Sequence, residues 1–179
     1  MPAATEHSLL RHPANRCAGV RSIYASACLT AGGALVLGYD VRGEPDGIRI
    51  PATLPSAAAD GLWRHTCCEA FIAAVDGPEY REFNFSPSGQ WAAYRFTAYR
   101  ERDAAFRPPA APQVPVARHA GGFRLTARIA SDLLPATKAF DIGLSAVIEA
   151  VDGSMSYWAL THCAAQPDFH LRQSFSLTL

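Results

Sequence analysis

A chain of 179 residues, 49% hydrophobic and 18% charged, has apolar material for one sizeable core and is too short for two domains of ordinary size, which excludes a disordered chain. Lys plus Arg balances Asp plus Glu at 16 each, for a formal net charge of zero, so no field steers polyanions and neither nucleic acid nor an anionic membrane is an expected partner. Residues 1–11 carry Glu6 and His7 without a basic patch and apolar run, so no signal peptide is predicted. The most apolar stretch, 25–41, is broken by Gly32 and Gly33 before it reaches the ~20 residues of a membrane span. The cysteines, Cys17, Cys28, Cys67, Cys68 and Cys163, are odd in number and lack a framework spacing, which fits free thiols in a reducing cytoplasm. A soluble, cytoplasmic protein is the expectation, with its oligomeric state left open.

Short apolar or alternating runs recur along the chain between Gly, Pro, Ser and Asp, and none extends into a capped 3.6-residue period; the pattern predicts an all-β domain. Residues 20–30 and 34–41 read as a hairpin, with Gly32 and Gly33 supplying positive φ at the turn. A Pro/Gly/Ala-rich connection over 43–60 holds a short strand candidate at 48–50. Residues 68–75 are apolar on both alternating faces, as in a strand buried within a sheet, and Asp76, Gly77 and Pro78 then turn the chain. The run 106–115, with Pro108, Pro109, Pro112 and Pro115, is an edge or a loop. Residues 123–130 alternate cleanly, 131–137 hold a possible helical turn, and 141–151 with 155–161 form a second hairpin across Asp152 and Gly153. Residues 174–179 tie the C-terminus into a sheet.

The densest information lies in residues 80–97. A two-residue turn at Ser88 and Gly89 pairs Ser86 with Trp91, Asn84 with Ala93 and Glu82 with Arg95. That register separates a polar face from an apolar one bearing Phe83, Phe85, Tyr94 and Phe96, whereas a three-residue turn mixes the two sets. On it Glu82, Asn84, Trp91 and Arg95 share one surface suited to a polyhydroxylated or planar ligand. The bland alternative is a solvated face with a Glu82–Arg95 cross-strand pair.

Elsewhere His65, Cys67, Cys68 and Glu69 crowd metal-type atoms together, but no second ligand pair follows at zinc-site spacing, so no metal is predicted. Trp158, His162, Asp168 and His170 are positioned in sequence to rim a pocket. A hydrolase triad lacks its Gly-x-Ser-x-Gly elbow, and no Gly-x-Gly-x-x-Gly or Walker pattern supports a nucleotide. No cofactor is required; haem is the one candidate, through His65, His162, His170 or Met155, without Cys-x-x-Cys-His for covalent attachment.

The segment Asp60-Gly61-Leu62-Trp63-Arg64-His65-Thr66-Cys67-Cys68-Glu69-Ala70-Phe71, then Tyr80-Arg81-Glu82-Phe83-Asn84-Phe85-Ser86-Pro87-Ser88-Gly89-Gln90-Trp91 with Tyr94-Arg95-Phe96, resembles bacterial DOMON-like proteins, related to family 9 carbohydrate-binding modules. Tyr157-Trp158-Ala159-Leu160-Thr161-His162, Pro167-Asp168-Phe169-His170 and Ser174-Phe175 fit the same group, so the resemblance spans 1–179 as one domain. It implies an immunoglobulin-like or jelly-roll β-sandwich, mostly antiparallel, binding sugar or haem, and no enzyme activity. In the sugar-binding modules two tryptophans sandwich a sugar end beside a Glu; Glu69, Glu82, Asn84, Trp91 and Arg95 are the nearest positions. The chain departs from them where His65-Thr66-Cys67-Cys68 replaces the acidic pair tied to their calcium site.

The expected function is therefore non-catalytic binding of a saccharide or related polar ligand on a concave sheet face. Its expected site draws on Trp63, His65, Glu69, Glu82, Asn84, Trp91, Arg95, Trp158, His162 and His170. A haem or redox module, and a protein-interaction domain using an aromatic face or the Pro-rich edge, are the alternatives.

Overall fold

The computed structural model describes residues 5–16, 19–75, 77–137 and 139–179. In chain order its strands are β1 (Glu6–Ser8), β2 (Leu10–Arg11), β3 (Val20–Leu29), β4 (Leu35–Gly43), β5 (Cys67–Ala74), β6 (Tyr80–Phe85), β7 (Trp91–Ala98), β8 (Glu101–Arg102), β9 (Val116–His119), β10 (Gly122–Ile129), β11 (Phe140–Glu149), β12 (Met155–Ala159) and β13 (Leu177–Thr178). They form a five-stranded sheet, β1-β3-β4-β10-β9, and an eight-stranded sheet, β2-β12-β11-β5-β6-β7-β8 with β13 beside β11. Every ladder is antiparallel. The chain is an all-β sandwich, as its punctuation predicts. Among the described residues helix is confined to single 3-10 turns at Leu62–Arg64, Ser131–Leu133 and Arg172–Ser174, and no helix is long and apolar enough to cross a membrane.

Alternation on the smaller sheet sends Ile23, Ala25, Leu35, Leu37, Val41, Phe123, Leu125 and Ile129 inward. They meet Cys68, Ala70, Ile72, Phe83, Phe85, Leu144, Ala146 and Ile148 of the larger sheet in one core, two inner faces closing on each other as sandwich packing requires. The Tyr39 hydroxyl spans the layers and donates to the Glu69 carbonyl at 2.6 Å. Strand β5 is apolar on both faces because the larger sheet is covered on both. Its outer side carries a second cluster, Phe71, Ala73, Tyr80, Tyr94, Phe96 and Phe175, with Leu62 and Phe169 packed on it.

That double covering overturns the expected register of the β6–β7 hairpin. Phe85 pairs with Trp91, Asn84 with Ala92, Glu82 with Tyr94 and Arg81 with Arg95. The Ser86 amide donates to the Gln90 carbonyl and the Gly89 amide to the Ser86 carbonyl, both at 2.9 Å, with Gly89 at φ 94°. This is a three-residue loop, a type I turn followed by a left-handed glycine. A polar-versus-apolar partition fixes register only where one face meets water; here both are packed, so Trp91 goes inward with Phe83 and Phe85 while Tyr94 and Phe96 go outward with Glu82 and Asn84. The hairpins at Thr30–Ala34 and Ala150–Ser154 close the same way, through Gly33 (φ 75°) and Gly153 (φ 83°). Gly32, expected to share the positive φ, does not have it.

The remaining expectations map simply. The 48–50 candidate is a single bridge from Ile48 to Ala150, and the proline-rich run stays a loop that touches β10 through the Gln113–Arg128 bridge and through the Thr126 amide, which donates to the Pro115 carbonyl at 3.0 Å. The described cysteines, Cys28, Cys67, Cys68 and Cys163, are free thiols, while Cys17, and Asp76 of the expected turn, lie outside the described residues.

The register has a direct stability test. Trp91 is buried in the main core whereas Trp63 is 48% exposed, so Trp91→Ala is expected to cost about 3–5 kcal/mol in urea denaturation and Trp63→Ala less than about 1 kcal/mol.

Candidate functional site

A groove of about 380 Å³ opens on the outer face of the larger sheet. Its floor is laid down by strand register: Glu69 and Phe71 of β5, Glu82 of β6, Tyr94 and Phe96 of β7, Val147 of β11 and Tyr157 of β12 all project to the side away from the core. One wall is Asp60 with Trp63 of the Leu62–Arg64 turn, another is Pro167, Phe169 and His170 of the C-terminal segment, and Arg100 and Arg102 stand at the β7–β8 end.

The floor is unusual for its charge. Glu69 and Glu82 are both buried, 3% and 6% exposed. Burial, followed by repulsion from Glu82, pushes the Glu69 carboxyl well above the ordinary carboxylate range. Burial also raises Glu82, to about 7, against the hydrogen bond from Asn84 and the attraction of Arg102 and Arg100. Asn84 Nδ2 donates to Glu82 Oε1 at 2.9 Å. The His170 ring is held by Tyr80: the Arg100 amide donates to the Tyr80 hydroxyl at 3.1 Å, and that hydroxyl donates to His170 Nδ1 at 2.8 Å. Burial lowers His170 to about 4, so a neutral imidazole turns Nε2 toward Glu82 Oε2, 3.8 Å away.

The arginines at the rim already have partners. Arg100 pairs with Asp168 at 2.9 Å, and Arg102 lies 3.8 Å from Asp60 with its guanidinium 4.0 Å above the Tyr94 ring centroid. Tyr94 in turn donates its hydroxyl to Asp60.

Of the residues singled out from sequence, the structure brings Trp63, Glu69, Glu82 and His170 together in this groove, with Asn84 beneath as the partner of Glu82. It corrects the placement of Trp91 and Arg95, which the slipped register sends to the opposite face. Trp91 belongs to the core, and Arg95 pairs with Glu79 at 2.9 Å instead of Glu82. Trp158 is also a core residue, its indole N–H donating to Ser156 Oγ at 3.0 Å. His65 is tied to Glu149 at 2.8 Å and His162 to the Leu10 carbonyl at 2.8 Å, so the histidines considered for haem each spend a ring nitrogen on the protein. Burial of Phe83, Phe85, Tyr94 and Phe96 removes the aromatic face from the protein-interaction alternative and does not bear on its Pro-rich edge.

Sequence reasoning missed Tyr94 as a groove residue because of the register, and missed Arg100, Arg102, Tyr157 and Phe169 because nothing local marks them. A larger cleft of about 790 Å³ lies between Pro87–Gly89 and the proline-rich loop, but its only charged lining residue is Arg118, which donates to the Pro51 carbonyl. Among the described residues no group of three or more His, Cys, Asp or Glu is placed to hold a metal ion.

No family model matches the chain, and no curated protein is significantly similar to it. The fold is similar to that of a crystal structure of a Bacteroides uniformis protein provisionally described as carbohydrate-binding. The TM-score is 0.71 at 14% identity, covering 98% of this chain and 85% of that one. This likeness establishes the fold.

The groove titrations set a pH signature. Stability from the proton on Glu82 is present below its ordinary value of 4.5 and lost as pH rises through about 7, because the folded state binds that proton more tightly. His170, lowered from 6.5 to about 4, works the other way, with stability rising between those values. Glu82→Gln keeps the acceptor for Asn84 and removes the falling contribution of Glu82, leaving that of the raised Glu69 carboxyl and the rising one of His170. Its stability relative to wild type should therefore grow from near zero at pH 4.5 to about 2–3 kcal/mol above pH 7, read by urea midpoints across pH.

Proposed function

We propose that the groove binds a saccharide or a related small polar ligand without transforming it. The observation that carries this reading is the buried Glu69 carboxyl, which lines the groove beside Glu82 with its Oε1 atom unpartnered. A purely structural sheet face seldom leaves a buried acceptor unpaired, since each such group costs about 1–3 kcal/mol. Carboxyl oxygens beneath a ring-lined cleft suit a ligand with one polar edge and one apolar face, and Trp63 at the mouth offers an indole for stacking. Support comes also from the neighbour of the same fold that is described as carbohydrate-binding. The zero formal charge of the chain favours a small ligand over nucleic acid.

In this reading Trp63 contacts the apolar face of the ligand, Glu69 and Glu82 accept its donors, and Asn84 holds Glu82 in place. Trp91 and Trp158 are buried, so a ligand-induced change in tryptophan fluorescence should come from Trp63. Titration with a panel of soluble mono- and oligosaccharides, followed by fluorescence and calorimetry, is expected to give saturable signals for one subset. Chromatography of the same mixtures should recover the sugars unchanged. Trp63→Ala should abolish the fluorescence response and weaken binding about tenfold or more. Absence of heat and of fluorescence change across the whole panel would remove the saccharide reading.

A further inference from the structure

Ser145 of β11, Glu69 of β5 and Asn84 of β6 sit directly opposite one another in adjacent ladders, forming one row across the sheet. All are nearly inaccessible, at 2%, 3% and 0% exposure. Ser145 Oγ, Glu69 Oε1 and Asn84 Oδ1 each lack a hydrogen-bond partner. With Asn84 Nδ2 committed to Glu82 Oε1, Asn84 presents an acceptor, as do Glu69 and Glu82. A cleft floor made of acceptors is complementary to a ligand that brings donors.

Charge narrows the class further. Glu69 faces Glu82, with Cys67 and Cys68 beside it in β5. Glu82 faces Asp60, Arg100, Arg102, Tyr80, Tyr94 and His170. The two arginines have carboxylates of their own in Asp168 and Asp60, and the imidazole is neutral, so among the described residues no side-chain cation is dedicated to the acid pair. An anionic ligand would meet acceptor oxygens in this floor and is disfavoured there. A hydroxyl supplies a single donor and no charge, whereas a protonated primary amine supplies three donors and the missing positive charge. The rings of Phe71, Phe96, Tyr157 and Phe169 line the groove beside the acids, and an aromatic wall favours a cation.

Resting on the saccharide reading above, we propose that the group received by Glu69 and Glu82 is a protonated amine, so that an amino sugar binds where its neutral counterpart does not. At neutral pH burial and mutual repulsion keep a proton on the acid pair. The incoming R–NH3+ takes its place, the carboxyl ionises, and one proton passes to the buffer with no covalent bond changed in the ligand. Binding therefore weakens as pH falls.

The test is calorimetry on the full chain with glucosamine, glucose, N-acetylglucosamine and butylamine, in phosphate and in MOPS, at pH 7 and pH 5.5. The expected result is glucosamine binding at least about tenfold tighter than either neutral sugar, a buffer-dependent enthalpy that reports proton release, and about tenfold weaker binding at pH 5.5. Glu69→Gln, a near-isosteric change whose folding is checked by near-UV circular dichroism, should lose both the preference and the proton release. The proton count on the wild-type chain stands even if that variant does not fold. Neutral sugars binding as tightly as glucosamine without proton release would overturn the amine proposal and leave the saccharide reading in place. Butylamine binding with proton release where no sugar binds would uphold the amine and overturn the saccharide. Heat from none of the ligands would overturn both.

Discussion

Burial of the larger sheet on both of its faces is the constraint from which the rest of the structure follows. Its inner side is closed by the smaller sheet through Cys68, Ala70, Ile72 and Leu144, the ordinary solution for a two-layer domain. Its outer side is closed by short irregular pieces: Leu62 from one 3-10 turn, Phe169 from the loop after β12, and Phe175 just past another turn. Such pieces cannot tile a sheet as a third layer would. They pack tightly over Phe71, Tyr80 and Phe96, and where they part the sheet is left as the floor of the groove. The site is thus the seam in an incomplete cover.

The fold was legible in the sequence wherever alternation was strong, and the site was legible only in part, for one physical reason. Strands β3, β4, β10, β11 and β12 carry enough apolar periodicity to be placed from sequence. The short strands β1, β2, β8 and β9 do not, because their pairing is set by backbone hydrogen bonds to longer neighbours, whereas the apolar alternation of 174–179 marks β13, which pairs with β11. The run 68–75 marks β5 as apolar on both faces, yet the register expected for the β6–β7 hairpin treats one of its faces as solvated. Had β5's apolar outer face been carried across to its partner β6, Phe71 would have required an apolar neighbour on the Glu82 side. Tyr94 and Phe96 are the residues able to supply it. The turn chemistry agreed: Pro87 and Gly89 suit a type I turn with a left-handed glycine, and Gly33 and Gly153 close the other hairpins in the same way. Trp63, Glu69, Glu82 and His170 could be singled out as candidates from sequence, but Arg100, Arg102, Tyr157 and Phe169 are brought in by loops and strands distant in sequence, which no local pattern reveals.

The acids of the groove are best judged against the other buried acids of the same molecule. Asp40 is 6% exposed, but Arg42 and Arg124 both reach its Oδ2, at 2.6 Å and 3.1 Å, and they hold its carboxyl below the ordinary value against the cost of burial. Glu149, 7% exposed, receives Arg49 at 2.9 Å and His65 at 2.8 Å. In both places the chain meets a buried carboxylate with cations, as desolvation demands. Among the described residues Glu69 and Glu82 have no such cation, and the arginines nearest them are turned toward Asp60 and Asp168. A sheet position needing only to be filled would be served by the apolar residues that flank Glu69 in β5. Two carboxyls kept there at a cost in stability, beneath an opening wide enough to admit a small molecule, are explained when the missing partner comes from outside the chain.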